Sequence, residues 1–191
     1  MGEAARKRIN VDEFLVWDDG TDRRYELVGG EIVAMAPPSN AHGAIVANAV
    51  GELRTRLRPP CRVLTEVGVR FVWRDDSYYQ ADLAVTCSPI LPRESAIANS
   101  VVLIEVLSPS TMAHDRGVKL VDYRHIASVQ EIVFTSSDEK RVELWRRGSE
   151  AWTVRDLEAS DHLQLESIGF DMAVEGLYDG LDFTVSEAVS G

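Results

Sequence analysis

Regularly spaced apolar residues first appear at Val11 to Trp17, which predicts a short helix, and Tyr25 to Met35 (YELVGGEIVAM) reads as two strands around a Gly29–Gly30 turn. The breaker cluster PPSN at 37–40 follows, with Ser39 and Asn40 as N-cap candidates. Over 41–57, Ile45, Ala49, Leu53 and Leu57 form one stripe with Val46 and Val50 beside it, while Arg54, Arg56 and Arg58 point elsewhere. This is an amphipathic helix, ended by Pro59 and Pro60.

Strands are expected at 61–73 (interrupted at Gly68), 79–87 and 101–107, with a loop or short helix at 88–100. A second helix is expected over 115–127 and a strand over 130–135. A hairpin follows, from 140–147 through a turn at Gly148–Ser149 to 151–156. The remainder reads as an acidic loop and a short terminal helix within 177–189. With no repeat, low-complexity tract or linker, the pattern is that of a single α/β domain over residues 1–191.

Composition adds limits. A chain of 191 residues that is 45% hydrophobic builds a real core, and no apolar run approaches the roughly 20 residues of a spanning helix. The N-terminus has no apolar h-region and no myristoylation pattern, so export and lipid anchoring are not expected. Cys61 and Cys87 lie in strand-like segments without CxxC spacing; they read as small buried hydrophobes and fit a reducing cytoplasm. The net charge of −11 argues against nucleic acid until its distribution is considered. Ten acids and one base lie from Glu150 onward, so the first 149 residues are nearly neutral.

Two acids sit where acids are costly. Alternation along 79–87 places Ala81, Leu83, Val85 and Cys87 on one face and Gln80, Asp82, Ala84 and Thr86 on the other. In VVLIEVL, Glu105 is the single charge among β-branched and Leu neighbours. Its carboxylate requires compensation, either from a buried Arg or Lys or from a divalent cation shared with Asp82. On a helical wheel through 115–127, Lys119 falls between Ile126 and Tyr123 on the inward arc, so its ammonium needs a negative partner. Asp82, Glu105 and Lys119 would satisfy one another around a metal-bound water and a phosphate.

The blocks YELVGGEIVAMAPPSNAHGAIV, QADLAV and VVLIEVLSPSTMAHDRGVKLVDY resemble the Uma family of restriction endonucleases, a branch of the PD-(D/E)XK nuclease superfamily, over about residues 12–182. The resemblance implies a restriction-endonuclease-like α/β fold: a mixed β-sheet flanked by helices, with acids on the central strands and additional β-hairpins. It also implies DNA as substrate and Mg²⁺ or Mn²⁺ as cofactor, with Asp82 and Glu105 as metal ligands. Ala81 stands where the pattern has Pro, and Leu107 where it has the catalytic Lys, for which Lys119 is the substitute. Glu31 matches a further site position and His42 an accessory one. Against these stand plainer roles, a solvated hairpin carboxylate for Glu31 and a first-turn helix contact for His42. His114 and Asp115 are expected to begin the helix rather than bind metal, and Tyr123 to pack or hydrogen-bond at the site.

Serine-hydrolase, P-loop, zinc-protease and dinucleotide motifs are absent from the sequence. Arg54, Arg56, Arg58 and Arg62 form a modest basic patch, with Arg23, Arg24, Arg70 and Arg74 as further candidates. The leading expectation is a Mg²⁺-dependent endonuclease, and the alternative is a non-cleaving nuclease-fold module for binding or assembly. The β-rich C-terminal half offers edges through which two subunits could pair as a homodimer.

Overall fold

The computed structural model describes residues 8–108, 112 and 115–184. Asn10 opens helix α1 (Val11–Leu15) with a reciprocal cap: its side chain accepts the Glu13 N–H, and the Glu13 carboxylate accepts the Asn10 N–H. Strands β1 (Tyr25–Val28) and β2 (Glu31–Ala34) form the expected hairpin. Gly29 and Gly30 have φ of 56° and 84°, the left-handed conformation that this tight turn requires and glycine adopts at little steric cost. The Ser39 hydroxyl accepts the His42 N–H at 3.1 Å to start α2 (Asn40–Arg56), which buries Ile45, Ala49 and Leu53 as the stripe predicts.

Strands β3 (Arg62–Arg70), β4 (Tyr78–Thr86) and β5 (Ser100–Leu107) follow, then a π-helical turn (Asp115–Lys119) running into α3 (Leu120–His125). The next strands are β6 (Glu131–Ser136), β7 (Arg141–Arg147) and β8 (Trp152–Glu158). Strand order is β2-β1-β4-β5-β6-β7-β8, with β3 also paired to β4. Every pairing is antiparallel except β5 with β6, which the π turn and α3 connect. This is the mixed sheet the sequence implied.

Two apolar layers cover the sheet. On one face Ile45, Ala49 and Leu53 of α2 pack on Leu83, Val85, Val102, Ile104 and Val106. On the other, Leu120 and Tyr123 of α3 pack with Tyr79, Leu103, Leu107 and Phe134. β5 thus divides its even and odd positions between the layers, which turns Glu105 toward α3.

The structure corrects the sequence-based expectations in several places. Cys61 and Cys87 are joined in a disulfide. They flank the register pair Arg62↔Thr86, so they face each other across the β3–β4 ladder, a proximity invisible in their 26-residue separation. The acidic stretch contains a further hairpin, β9 (His162–Leu165) with β10 (Phe170–Ala173), and a 3₁₀ turn at Val174–Tyr178. Leu163, Leu165, Phe170 and Met172 enter the α2-side core, while the polar residues between them face outward. β3 ends at Arg70, short of Trp73, and runs through Gly68 uninterrupted. A Cβ at Gly68 would lie 1.8 Å from the Tyr78 hydroxyl and 2.2 Å from the Ser95 carbonyl, so glycine serves close packing there. The 115–127 helix is π-helical over its first five residues. His114, the Asp115 side chain and the end of the expected terminal helix lie outside the described residues. Among those described, no helix is long and apolar enough to cross a membrane.

Candidate active site

The site begins as a gap in strand pairing. β3 pairs along the whole of β4, and the opposite edge of β4 is shared by β1 at Tyr78 and β5 from Leu83 onward. Between them, Tyr79–Asp82 face a notch where β1 and β5 diverge. Backbone donors at such a fork lose their strand partners and require others. Carboxylates supply them: Val106 N–H donates to Asp82 Oδ2 at 2.7 Å, and Gln80 N–H donates to Glu26 Oε1 at 2.8 Å.

β4 also changes character at Asp82. Tyr79 and Ala81 pack in the α3-side layer and Leu83 and Val85 in the α2-side layer, so the expected common face of Ala81, Leu83 and Val85 is broken there. Glu66, lying across on β3 between the pairs Thr65↔Leu83 and Val67↔Ala81, has φ of 52°. A bulky residue in that region is uncommon and marks a local distortion of the ladder.

Within the notch the Lys119 ammonium lies 2.9 Å from Glu26 Oε1 and 3.3 Å from Glu105 Oε1. The Tyr123 hydroxyl donates to the same Glu105 oxygen at 2.6 Å. Glu26, Glu105 and Lys119 are 5%, 3% and 3% exposed, so these charges compensate one another with little help from water. The π turn matters to this arrangement. Lys119 is its last residue, and π-type irregularities in helices are frequent at functional sites. His42 Nε2 lies 3.0 Å from Asp82 Oδ1 and ties the first turn of α2 to the notch. The Asp82 and His42 side chains, 17% and 21% exposed, form the more open side of the group.

A second buried network supports α3. Arg74 donates through one nitrogen to both oxygens of Asp122, at 3.2 and 3.0 Å, and the Tyr79 hydroxyl donates to Asp122 Oδ2. Burial first, then the hydrogen bond to Asp122, holds the Tyr79 phenol well above its ordinary pKa. The Asp76 hydrogen bond raises the Arg74 guanidinium further, keeping it charged. Tyr79 also meets Tyr123 edge-on at 6.0 Å between ring centroids, which connects this network to the Glu105 contact.

Of the residues expected from the sequence, Lys119, Glu105 and Tyr123 are in direct contact, and Asp82 is anchored on the amide next to Glu105. His42 joins through Asp82. Glu31 is exposed at the start of β2, where it pairs with Val28 across the hairpin, and it takes no part in the contacts described. On this hairpin it is Glu26 that contacts Lys119. The signal was present, since Glu26 is a lone acid between apolar strand neighbours, as Glu105 is. Several basic candidates are held by carboxylates: Arg24 by Glu66, Arg56 by Glu52, Arg70 by Asp12, and Arg74 by Asp76 and Asp122. Arg23, Arg54, Arg58 and Arg62 are exposed and have no ion pair among the described residues.

Whether a divalent metal fits depends on these donors. Among the described residues, no three His, Cys, Asp or Glu side chains surround a common point. Mg²⁺ does not demand such a cage, because it retains waters and binds through one or two carboxylates. Asp82 and Glu105 supply two carboxylates with hard oxygen donors beside one ammonium, so the donor chemistry fits.

A family model described as Uma2, "Putative restriction endonuclease", matches residues 11–175. The Synechocystis sp. protein slr1290 is 31% identical over 181 residues, covering 92% of this chain and 94% of the relative. A second protein of that organism, sll1609, is 26% identical over 172 residues, covering 82% and 92%. The crystal structure of a "putative nuclease belonging to DUF820" from Anabaena variabilis superposes with a TM-score of 0.69 at 24% identity, covering 89% of this chain and 97% of that one. That likeness shows a shared fold.

Proposed function

Because the chain belongs to the Uma2 family, we propose that it is a metal-dependent endonuclease hydrolysing DNA phosphodiester bonds at the notch between β1, β4 and β5. The observation that carries this reading is the buried contact of Lys119 with Glu105, next to Asp82 on the Val106 amide. Leu107 has no donor, and the neighbouring helix supplies the cation in its place.

Asp82 and Glu105 would hold Mg²⁺ or Mn²⁺, which when bound polarises a phosphate oxygen and lowers the pKa of a water. The chain's own groups have separate tasks. The Lys119 ammonium faces negative charge developing on the phosphate in a region of low dielectric, where a preorganised cation acts strongly. Tyr123 fixes the Glu105 carboxylate through its hydroxyl, and His42 fixes Asp82. Exposed Arg54 on α2 and Arg58 just beyond its C-terminus are, among the described residues, the basic candidates without an ion pair that lie nearest in sequence to His42 for phosphate contact.

A second reading, a non-cleaving nuclease-fold module, draws support from the burial of Glu26, Glu105 and Lys119. Plasmid DNA with Mg²⁺ or Mn²⁺ separates the two. The endonuclease reading expects nicking or linearisation by the wild type and none by an Asp82→Ala, Glu105→Ala double variant. Equal activity in both proteins, or none in either, would overturn it.

A further inference from the structure

We propose that Glu26 is a positioning residue of the active site, which holds the Lys119 ammonium in register with Glu105. The assignment rests on the endonuclease reading above. Lysine ends in a compact charge on a flexible stem, so one contact at 3.3 Å to Glu105 would fix its nitrogen poorly. Glu26 provides the closer contact, 2.9 Å, from a different strand. Its own carboxylate is fixed in turn, because Oε1 also accepts the Gln80 N–H at 2.8 Å, two residues before Asp82 on β4. The ammonium is therefore triangulated between β1 and β5, and the carboxylate that does so is referenced to the strand bearing Asp82. A buried carboxylate is costly in a strand unless it is paired and hydrogen-bonded, and Glu26, 5% exposed, has both kinds of partner. The β1–β2 hairpin is then a part of the catalytic apparatus. Its contribution comes through Glu26, while Glu31 stays at the surface.

The test is Glu26→Gln, which keeps the volume and the oxygen that accepts the Gln80 N–H but removes the charge. With plasmid substrate, kcat should fall about tenfold or more, since a misplaced transition-state cation loses part of its effect. KM and the affinity for Mn²⁺ should change less than about threefold, because Glu26 acts through Lys119 and touches neither substrate nor metal. The discriminating measurement is a double-mutant cycle with Lys119→Met. The double variant should be no slower than Lys119→Met alone, which a merely structural defect would not produce. If Glu26→Gln loses its thermal transition, Glu26→Asp, which keeps the charge but withdraws it by one methylene, enters the same cycle with the same expectation. Additive losses in an active wild-type background, or Mn²⁺ affinity falling in step with kcat, would overturn the assignment alone. A wild type that does not cleave would overturn the endonuclease reading and this assignment with it.

Discussion

Replacing Lys119 by Met removes the ammonium that lies against two buried carboxylates while keeping most of the stem. That ammonium sits 2.9 Å from Glu26 and 3.3 Å from Glu105, residues only 5% and 3% exposed. Removing one partner of a buried ion pair costs about 3–5 kcal/mol, because the remaining charge stays desolvated. Here the Tyr123 hydroxyl and the Gln80 N–H continue to donate to those carboxylates, which sets the expected loss near the lower end, about 3 kcal/mol. For a chain of this size that corresponds to a fall in Tm of about 6–12 °C. Urea unfolding followed by far-UV circular dichroism, in the presence of a chelator, measures it. Mn²⁺ should then stabilise the variant more than the wild type, since the ion enters a site that has lost its competing cation; at a hundredfold excess over Kd, binding contributes about 2.7 kcal/mol. Cleavage should meanwhile fall by about 10² or more, as when a single transition-state contact is deleted. A stability loss under about 1 kcal/mol, with equal Mn²⁺ effects in both proteins, would refute this account of the cluster.

The Cys61–Cys87 disulfide closes a 26-residue separation, for which chain entropy predicts about 3.5 kcal/mol of stabilisation. A Cys61→Ser, Cys87→Ser variant should lose much of that in urea, and thiol titration of the unfolded wild type should find no free thiol before reduction and two after; two before reduction would contradict the pairing. Tyr79 gives a prediction in pH. Its folded-state pKa is raised by burial and by Asp122, so the associated stability is fully present below the unfolded value of about 10 and is lost as pH rises beyond it. The urea midpoint should therefore fall more steeply above about pH 10 in wild type than in Tyr79→Phe, and parallel curves would contradict the assignment.

The elements with strong local periodicity were legible in the sequence. The α2 stripe, the Gly29–Gly30 hairpin and the β5 run with its inward Glu105 all appear where alternation and capping place them. The inward position of Lys119 was legible as well, although the turn that delivers it is π-helical, because Leu120 and Tyr123, with which it shares its arc, lie in the α-helical part that follows and pack in the α3-side core. What escaped was set by pairing between distant segments. The disulfide depends on the β3–β4 register, and β9–β10 is a pair of four-residue strands whose polar face dominates the local composition. Glu26 escaped because a hairpin offers two acids, and only the tertiary position of β1 beside the notch shows which one is buried. The pairing of two further basic candidates was hidden for a related reason, since the ion pairs from Arg24 to Glu66 and from Arg70 to Asp12 span 42 and 58 residues of chain, whereas Arg54, Arg58 and Arg62 stay exposed.

The proposed metal site joins Asp82 on β4 and Glu105 on the neighbouring strand β5 around one divalent cation. Calorimetric titration of Mn²⁺ into the wild type, Asp82→Asn and Glu105→Gln tests it most directly, with circular dichroism confirming that each protein is folded. One saturable site in the wild type, weakened about tenfold or more by either substitution, is the expected result. Wild-type affinity in both variants, or no saturable binding in the wild type, would contradict it.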